Sequence, residues 1–272
     1  MKPLTVGCIG CGNMGGAILK GFIPHTGLTL LGHDHSQSKV EALTADSAGR
    51  VSWRATPEAL ARDADIVILA VKPPQVEDML RQIRAELTPG KVALSVATAV
   101  SLARLAAQVD GFCQVARLMP NLPAMVGKGL FALCLDAPSL LPEMKTVLED
   151  LFCLQGKVLI LPEDKFSAFS AVACCGPAFV CLFMEGMLNA AISLGFKADE
   201  AREMVAATVA GTAGMALDGL GSFADLRARV CSPGGTTIYG VNHLERTAVR
   251  GHIADAIVQS WHRDKELAKD EL

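Results

Sequence analysis

Three stretches of this chain carry residue types whose spacing implies chemistry. The first is Leu4 to Gly16, LTVGCIGCGNMGG, where Gly10, Gly12 and Gly15 stand at the G-x-G-x-x-G spacing directly after the apolar run Val6-Gly7-Cys8-Ile9. A strand entering such a turn and leaving it as a helix binds a dinucleotide pyrophosphate. The first glycine makes the turn, the second admits the phosphates and the third lets the helix pack on the strand. The second stretch is His33-Asp34-His35-Ser36, after the apolar run Leu28 to Gly32. Asp34 follows Gly15 by 19 residues, near the place where an acidic side chain contacts the ribose 2′-hydroxyl of NAD. Its carboxylate would repel the extra phosphate of NADP, whereas His35 and Ser36 could accept it. NADPH or NADH is therefore left open, with a solvated turn as the plain alternative. The third stretch is Ser232-Pro233-Gly234-Gly235-Thr236-Thr237. Ser232 before a proline suits an N-cap, and Pro233 suits the first helical position. Two glycines at a helix start let an anion approach the unpaired N–H groups, which reads as a carboxylate site; glycines kept for close packing are the alternative.

The elements around these stretches alternate. Strands are expected at the N-terminal run, at Leu28 to Gly32, Val51 to Arg54, Asp65 to Val71, Lys91 to Ala97 and Phe112 to Leu118. A helix is expected over Met14 to Phe22, one starting at Thr56-Pro57-Glu58, and one over Gln75 to Leu87. The run Asp65-Ile66-Val67-Ile68-Leu69-Ala70-Val71 is apolar almost throughout, as a strand covered on both faces must be. It ends in Lys72-Pro73-Pro74, and ligands bind at such carboxyl ends. Met119-Pro120-Asn121-Leu122-Pro123 closes another strand in the same way. The alternation specifies a doubly wound parallel sheet. Gly129 to Leu135 and Lys157 to Leu161 then bracket a helix over Pro138 to Phe152. Beyond Leu161-Pro162-Glu163 only helical patterns remain: Pro177 to Leu194, Ala198 to Leu217, and a long segment from Thr236 to Lys269. The reading is a domain of residues 1–162 followed by an all-helical domain of 163–272.

Composition narrows the partners. Hydrophobic residues make up 51% and charged residues 19%, a globular composition with an apolar bias. A net charge of −3 offers no electrostatic case for nucleic acid or an anionic membrane, so small molecules are the expected partners. No signal peptide is expected before the first strand, and nine cysteines then read as reduced thiols of a cytoplasmic protein. Cys8 and Cys11 lack a second ligand pair for zinc, so no metal site is expected. Cys113, Cys134, Cys153 and Cys181 read as small core residues. Phe166 to Met184 runs 19 residues without a charge, but Ser167, Ser170, Gly176 and Pro177 interrupt it. Buried helices at a subunit contact are the expected reading rather than a membrane span.

Taken together, IGCGNMGGAI, AVKP at 70 to 73, MPNLP at 119 to 123, CGPAF at 175 to 179 and VCSPGGTTIYGVNHLE at 230 to 245 resemble the pyrroline-5-carboxylate reductase family, in that family's order along almost the whole chain. The glycine turn is shared by many dehydrogenases; SPGGTT in a helical C-terminal domain is specific. The resemblance implies an α/β Rossmann domain that binds NADPH or NADH and an all-α dimerisation domain. It also implies homodimers that can assemble into decamers, and reduction of 1-pyrroline-5-carboxylate to L-proline by hydride transfer. Carried over by position, Gly10, Gly12, Asn13 and Met14 would lie along the pyrophosphate, beside Gly15. Val71, Lys72, Pro73 and Asn121 would border the ribose and nicotinamide. Ser232, Gly235, Thr236 and Thr237 would form the substrate pocket. The substrate carboxylate would sit on the N–H groups of Gly235, Thr236 and Thr237, with the Thr237 hydroxyl, the candidate catalytic group, near the ring nitrogen. The chain departs from the family at Ala173-Cys174-Cys175-Gly176-Pro177-Ala178, where Ser-Gly-Ser-Gly-Pro-Ala is usual. This loses two hydroxyls and a glycine, and the cysteines read as packing residues.

Two other readings differ in their residues. A β-hydroxyacid dehydrogenase would need a catalytic lysine after the domain boundary, and Lys165 to Asn189 holds no lysine beyond its first residue. A non-catalytic dinucleotide sensor would have no need of SPGGTT.

Overall fold

Apolar strands joined by half-apolar helices build the N-terminal part of the computed structural model, which describes residues 4–98 and 100–270. In chain order these are β1 (Leu4–Ile9), α1 (Asn13–Phe22), β2 (Leu28–His33), α2 (Gln37–Asp46), β3 (Val51–Trp53), α3 (Pro57–Asp63) and β4 (Ile66–Leu69). They continue with α4 (Pro73–Ile83), β5 (Val92–Ser95), α5 (Leu102–Val109), β6 (Gln114–Pro120), β7 (Gly129–Cys134), α6 (Pro142–Cys153) and β8 (Gly156–Ile160). The strands form one sheet in the order β3-β2-β1-β4-β5-β6-β7-β8. The order reverses between β1 and β4, so the loops after those two strands flank the switch point at which such sheets bind ligands.

Burial explains the pattern. β4, β5 and β6 are buried at every position, which is why their sequences run apolar instead of alternating. Helix faces close the core on both sides. Phe22 of α1, Phe131 of β7 and Phe152 of α6 meet in tilted ring contacts, with Phe152 5.7 Å from Phe22 and 5.5 Å from Phe131 between centroids.

The sheet is not parallel throughout: β7 runs antiparallel to β6, and β8 is then parallel to β7. Only residues 121–128, with a 3₁₀ turn at Leu122–Val126, separate β6 from β7, too few for the crossover a parallel neighbour requires. The helix expected over Pro138 to Phe152 begins at Pro142, after a turn.

After β8 the chain is helical: α7 (Phe166–Phe169), a π-helical turn at Ser170–Cys174, α8 (Gly176–Ser193), α9 (Ala198–Leu217), α10 (Phe223–Arg229), α11 (Thr236–Arg246) and α12 (Val249–Asp270). The chain divides into two compact units, one running to Cys174 and including the last residues from Arg263, the other Cys175–His262. The first residues after 162 therefore belong with the sheet. The continuous helix expected from Thr236 to Lys269 breaks between α11 and α12. Ala248 takes a left-handed φ of 55°, and the Thr247 hydroxyl donates to the His243 and Leu244 carbonyls, satisfying groups a continuing helix would have used.

The segment Glu163–Ser193 is long and apolar enough to cross a membrane by composition, and 28% of its most apolar window is buried. In the second unit Val180, Leu182, Phe183, Ile192 and Leu217 are all exposed. Cys113 and Cys134 are buried as expected, whereas Cys153 and Cys181 are exposed, on the outer sides of α6 and α8.

Candidate functional site

β1 delivers the chain to Gly10, whose φ of 95° only glycine adopts without strain. Its N–H donates to the His33 carbonyl at 2.8 Å, and the Ala70 N–H donates to the Ile9 carbonyl at 2.8 Å. The turn is thereby pinned to the ends of both β2 and β4. A Cβ at Gly15 would overlap the Gly10 carbonyl oxygen and lie 2.8 Å from Cys8 Sγ, so this glycine is required by the packing of α1 on β1. Gly12 differs: a Cβ there would meet nothing within 4 Å. It is the N-cap of α1, no side chain caps the helix, and no acidic residue stands in its first turn. The N–H groups of Asn13, Met14 and Gly15 have no acceptor inside the helix. Open space beside Gly12, free donors and a positive helix end together fit a pyrophosphate.

Cys8 and Cys11 lie beneath this turn as hydrogen-bonded thiols. Cys8 Sγ donates to the Gly10 carbonyl at 3.6 Å and Cys11 Sγ to the Cys8 carbonyl at 3.7 Å. The Cys11 contact and burial push the Cys8 thiol well above its ordinary value, which keeps it protonated and unreactive. No group of three or more histidine, cysteine, aspartate or glutamate side chains converges as a metal site among the described residues.

Asp34 sits at the end of β2, but its carboxylate faces inward. The Cys11 N–H donates to Oδ2 at 2.9 Å and the Ser36 N–H to Oδ1 at 2.9 Å. Lys39 Nζ stands 3.4 Å and His35 Nδ1 3.2 Å from Oδ1. Burial raises the carboxyl pKa, yet the bonds from Ser36 and Cys11 and the Lys39 ammonium outweigh it and hold Asp34 below the usual value. With its side chain 4% exposed, Asp34 braces the glycine turn, its carboxylate engaged by donors of the protein. His35, 91% exposed, and half-buried Ser36, whose Oγ lies 3.0 Å from Ser38 Oγ, follow it toward the surface.

Val71, Lys72 and Pro73 follow β4 beside the glycine turn. Pro73 opens α4, and the Lys72 N–H donates to Gln75 Oε1 at 3.2 Å. Asn121 is likewise engaged within the protein. Its Oδ1 accepts the Leu130 N–H at 2.8 Å, its Nδ2 donates to the Ala173 carbonyl at 3.2 Å, and it is buried. It ties the end of β6 to β7 and to the π-helical turn. In that turn Cys174 Sγ donates to the Pro120 carbonyl at 3.5 Å.

In the second unit, α10 is closed at its start by Ser222 and Asp225, which cap each other reciprocally. Arg227 on α10 bonds Glu245 on α11 at 3.3 Å; both are exposed, so the pair orients more than it stabilises. Ser232 is not the N-cap expected from the sequence. The Gly235 N–H donates to the Ser232 carbonyl at 3.0 Å and Gly234 has a φ of 68°, so Pro233-Gly234 occupies the centre of a β-turn with the type II residue pattern. Gly235 is the N-cap of α11, and a Cβ on it would overlap Ser232 Oγ. Its N–H is already engaged, which leaves Thr236, Thr237 and Ile238 as the free donors at the helix start. Thr236 and Thr237 are exposed, and neither hydroxyl has a partner among the described residues.

Sequence reasoning missed Arg117 and Glu163, which form an ion pair at 2.5 Å. The signal was present: Arg117 is a charged residue inside QVARLMP, a strand buried at every position.

Residues 163–267 match the family model described as pyrroline-5-carboxylate reductase dimerisation, and residues 5–99 match that described as NADP oxidoreductase coenzyme F420-dependent. A pyrroline-5-carboxylate reductase of Escherichia coli is 33% identical over 268 residues, spanning 97% of this chain and 98% of its own. That of Methanosarcina acetivorans is 30% identical over 271 residues, spanning 99% and 100%. Among solved structures, a Coxiella burnetii pyrroline-5-carboxylate reductase superposes with a TM-score of 0.87 at 28% identity, covering 97% of this chain and 98% of its own. A Plasmodium falciparum pyrroline carboxylate reductase with NADP bound superposes with a TM-score of 0.86 at 25% identity, covering 98% and 99%.

Proposed function

The chain belongs to the pyrroline-5-carboxylate reductase family, and from that premise we propose how its own residues serve the family reaction. It is a nicotinamide-dinucleotide oxidoreductase that reduces 1-pyrroline-5-carboxylate to L-proline, the closing step of proline biosynthesis. The bound reduced nicotinamide supplies the hydride to the imine carbon. Gly12, Asn13, Met14 and Gly15 hold the pyrophosphate; Gly10 shapes the turn, and Val71, Lys72 and Pro73 border the second ribose.

The observation that carries the substrate assignment is the start of α11. With the Gly235 N–H engaged by the Ser232 carbonyl, the N–H groups of Thr236 and Thr237 point out of a helix N-terminus and receive the substrate carboxylate. The Thr237 hydroxyl, without a partner among the described residues, hydrogen-bonds the ring nitrogen. That nitrogen becomes a basic amine on reduction and takes its proton from solvent, so a strong general acid is not required. The chain's contribution is orientation and charge neutralisation.

At the end of β2 the Asp34 charge is already neutralised by protein donors. Exposed His35 and half-buried Ser36, with exposed Ser38 and Lys39 beside them, suit a 2′-phosphate without demanding one, so both NADPH and NADH are accepted. The protein is a homo-oligomer. The exposed apolar side chains of α8 and α9 are the dimer contact rather than a membrane span, with decamers as a further level of assembly. The free thiols suit the reducing cytoplasm, and the net charge of −3 gives nucleic acid no foothold.

The test compares 1-pyrroline-5-carboxylate with 1-pyrroline, which lacks the carboxylate. Losing the charged hydrogen bonds to α11 lowers kcat/KM by roughly a hundredfold or more. Equal efficiency on both compounds would refute carboxylate recognition.

A further inference from the structure

The loop that follows β5 is held by a charged clamp. Arg117 lies opposite Ser95, the last residue of β5, in the parallel register of β5 and β6. Its Nη2 donates to the Thr98 carbonyl at 2.7 Å and its Nη1 to Glu163 Oε1 at 2.5 Å. The same carboxylate oxygen accepts the Leu102 N–H, at the start of α5, at 2.6 Å. The Phe166 ring packs over the guanidinium, 4.9 Å from its centroid. Thr98 near the start of the loop and Leu102 at its end are thus fastened to one ion pair. The Ala97 N–H is held besides by Ser95 Oγ at 3.2 Å.

A guanidinium whose side chain is only 6% exposed is a costly way to gain stability alone, since well-packed apolar residues do as well or better. What it provides here is a fixed position for the Thr98 carbonyl and the Leu102 N–H, and the sheet says what those groups lie beside. The pyrophosphate turn follows β1, and the adenosine ribose end is marked by His35 and Ser36 beyond β2, on one side of β1. The remaining half of a dinucleotide must run the other way, over the carboxyl ends of β4 and then β5, about 10 Å from β1 at ordinary strand spacing.

We propose that Arg117 and Glu163 are positioning residues that set Ala97, Thr98 and the start of α5 at Leu102, beyond the carboxyl end of β5, to receive the nicotinamide half of the cofactor. The proposal rests on the dinucleotide reading given above. Neither residue touches the reacting atoms; both act through main-chain groups of the loop.

The test titrates the full-length wild type, Glu163→Gln and Arg117→Lys with two ligands: NADPH, and 2′-phospho-ADP-ribose, which is the same molecule without nicotinamide. Glu163 is partly exposed, so its glutamine variant is the gentler of the two. Loss of a charge-assisted bond weakens NADPH binding on the order of tenfold in each variant. Binding of 2′-phospho-ADP-ribose stays within about twofold of the wild type, because the adenosine half lies beyond the clamp's reach. Equal weakening of both ligands would mark general loosening and overturn the proposal, as would unchanged NADPH binding. A wild type that binds neither ligand would overturn the dinucleotide reading itself.

Discussion

The backbone N–H of Cys11 donates to the carboxylate of Asp34 at 2.9 Å, so the glycine turn after β1 is fastened to the end of β2 by a residue that spacing alone would assign to the cofactor. The turn's geometry depends on Asp34 as much as on its glycines.

Replacing Asp34 should therefore weaken NADH and NADPH together, not switch between them. Asp34→Ser removes the acceptor for Cys11 and raises both dissociation constants by roughly tenfold, measured by fluorescence titration. A gain in NADPH affinity with NADH unchanged would return Asp34 to the ribose.

The same contact predicts a pH dependence. The folded-state pKa of Asp34 is lowered, so its stabilisation is present above the unfolded value of about 3.9 and is lost as pH falls through the folded value. The Tm difference between wild type and Asp34→Asn should be largest near neutral pH and shrink in acid. A gap that widens in acid would contradict the assignment.

Gly12 and Gly15 should separate binding from folding. Gly12→Ala places its methyl in open space, so Tm falls by little beyond an N-cap cost of a few tenths to about 1 kcal/mol, while cofactor affinity drops sharply. Gly15→Ala drives its methyl into Gly10 and Cys8 and costs about 1–3 kcal/mol of stability. Thermal melts with and without NADPH distinguish the two, and a Gly12 variant that binds normally would remove the pyrophosphate from this turn.

Much of this site was legible in the sequence, and the parts that were not have physical reasons. Gly10 and Gly15 announce themselves because only glycine meets their steric demands, and Gly12 by its place between them at the start of a helix. Pro233-Gly234 fits both a first helical turn and a type II turn, and only the left-handed Gly234 decides between them. Asp34 and Asn121 stand where cofactor ligands belong, but their partners, Cys11, Leu130 and Ala173, are set by tertiary packing. The reversal of β7 depended on the brevity of residues 121–128, a limit on chain length that residue type does not display.

In the proposed function Thr237 is the side chain on which the substrate chemistry leans. Thr237→Ala keeps the N–H that holds the carboxylate and removes the hydroxyl, at about 1.5–3 kcal/mol or roughly ten- to a hundredfold in kcat/KM. Thr236→Ala is the control, and cofactor affinity should hardly change in either. Full activity in Thr237→Ala would release the hydroxyl from its role.

The exposed apolar residues of α8 and α9, among them Val180, Phe183 and Met204, predict a dimer at working concentrations. Light scattering should give a mass of at least twice 28.6 kDa. A monomer would contradict the assignment of that face.

The most direct measurement mixes purified protein with NADPH or NADH and 1-pyrroline-5-carboxylate, following reduced-nicotinamide absorbance alongside proline. The account predicts absorbance loss with either cofactor, one proline formed per cofactor oxidised, and no loss when the imine is omitted. Folded, cofactor-binding protein that forms no proline with either cofactor would contradict it.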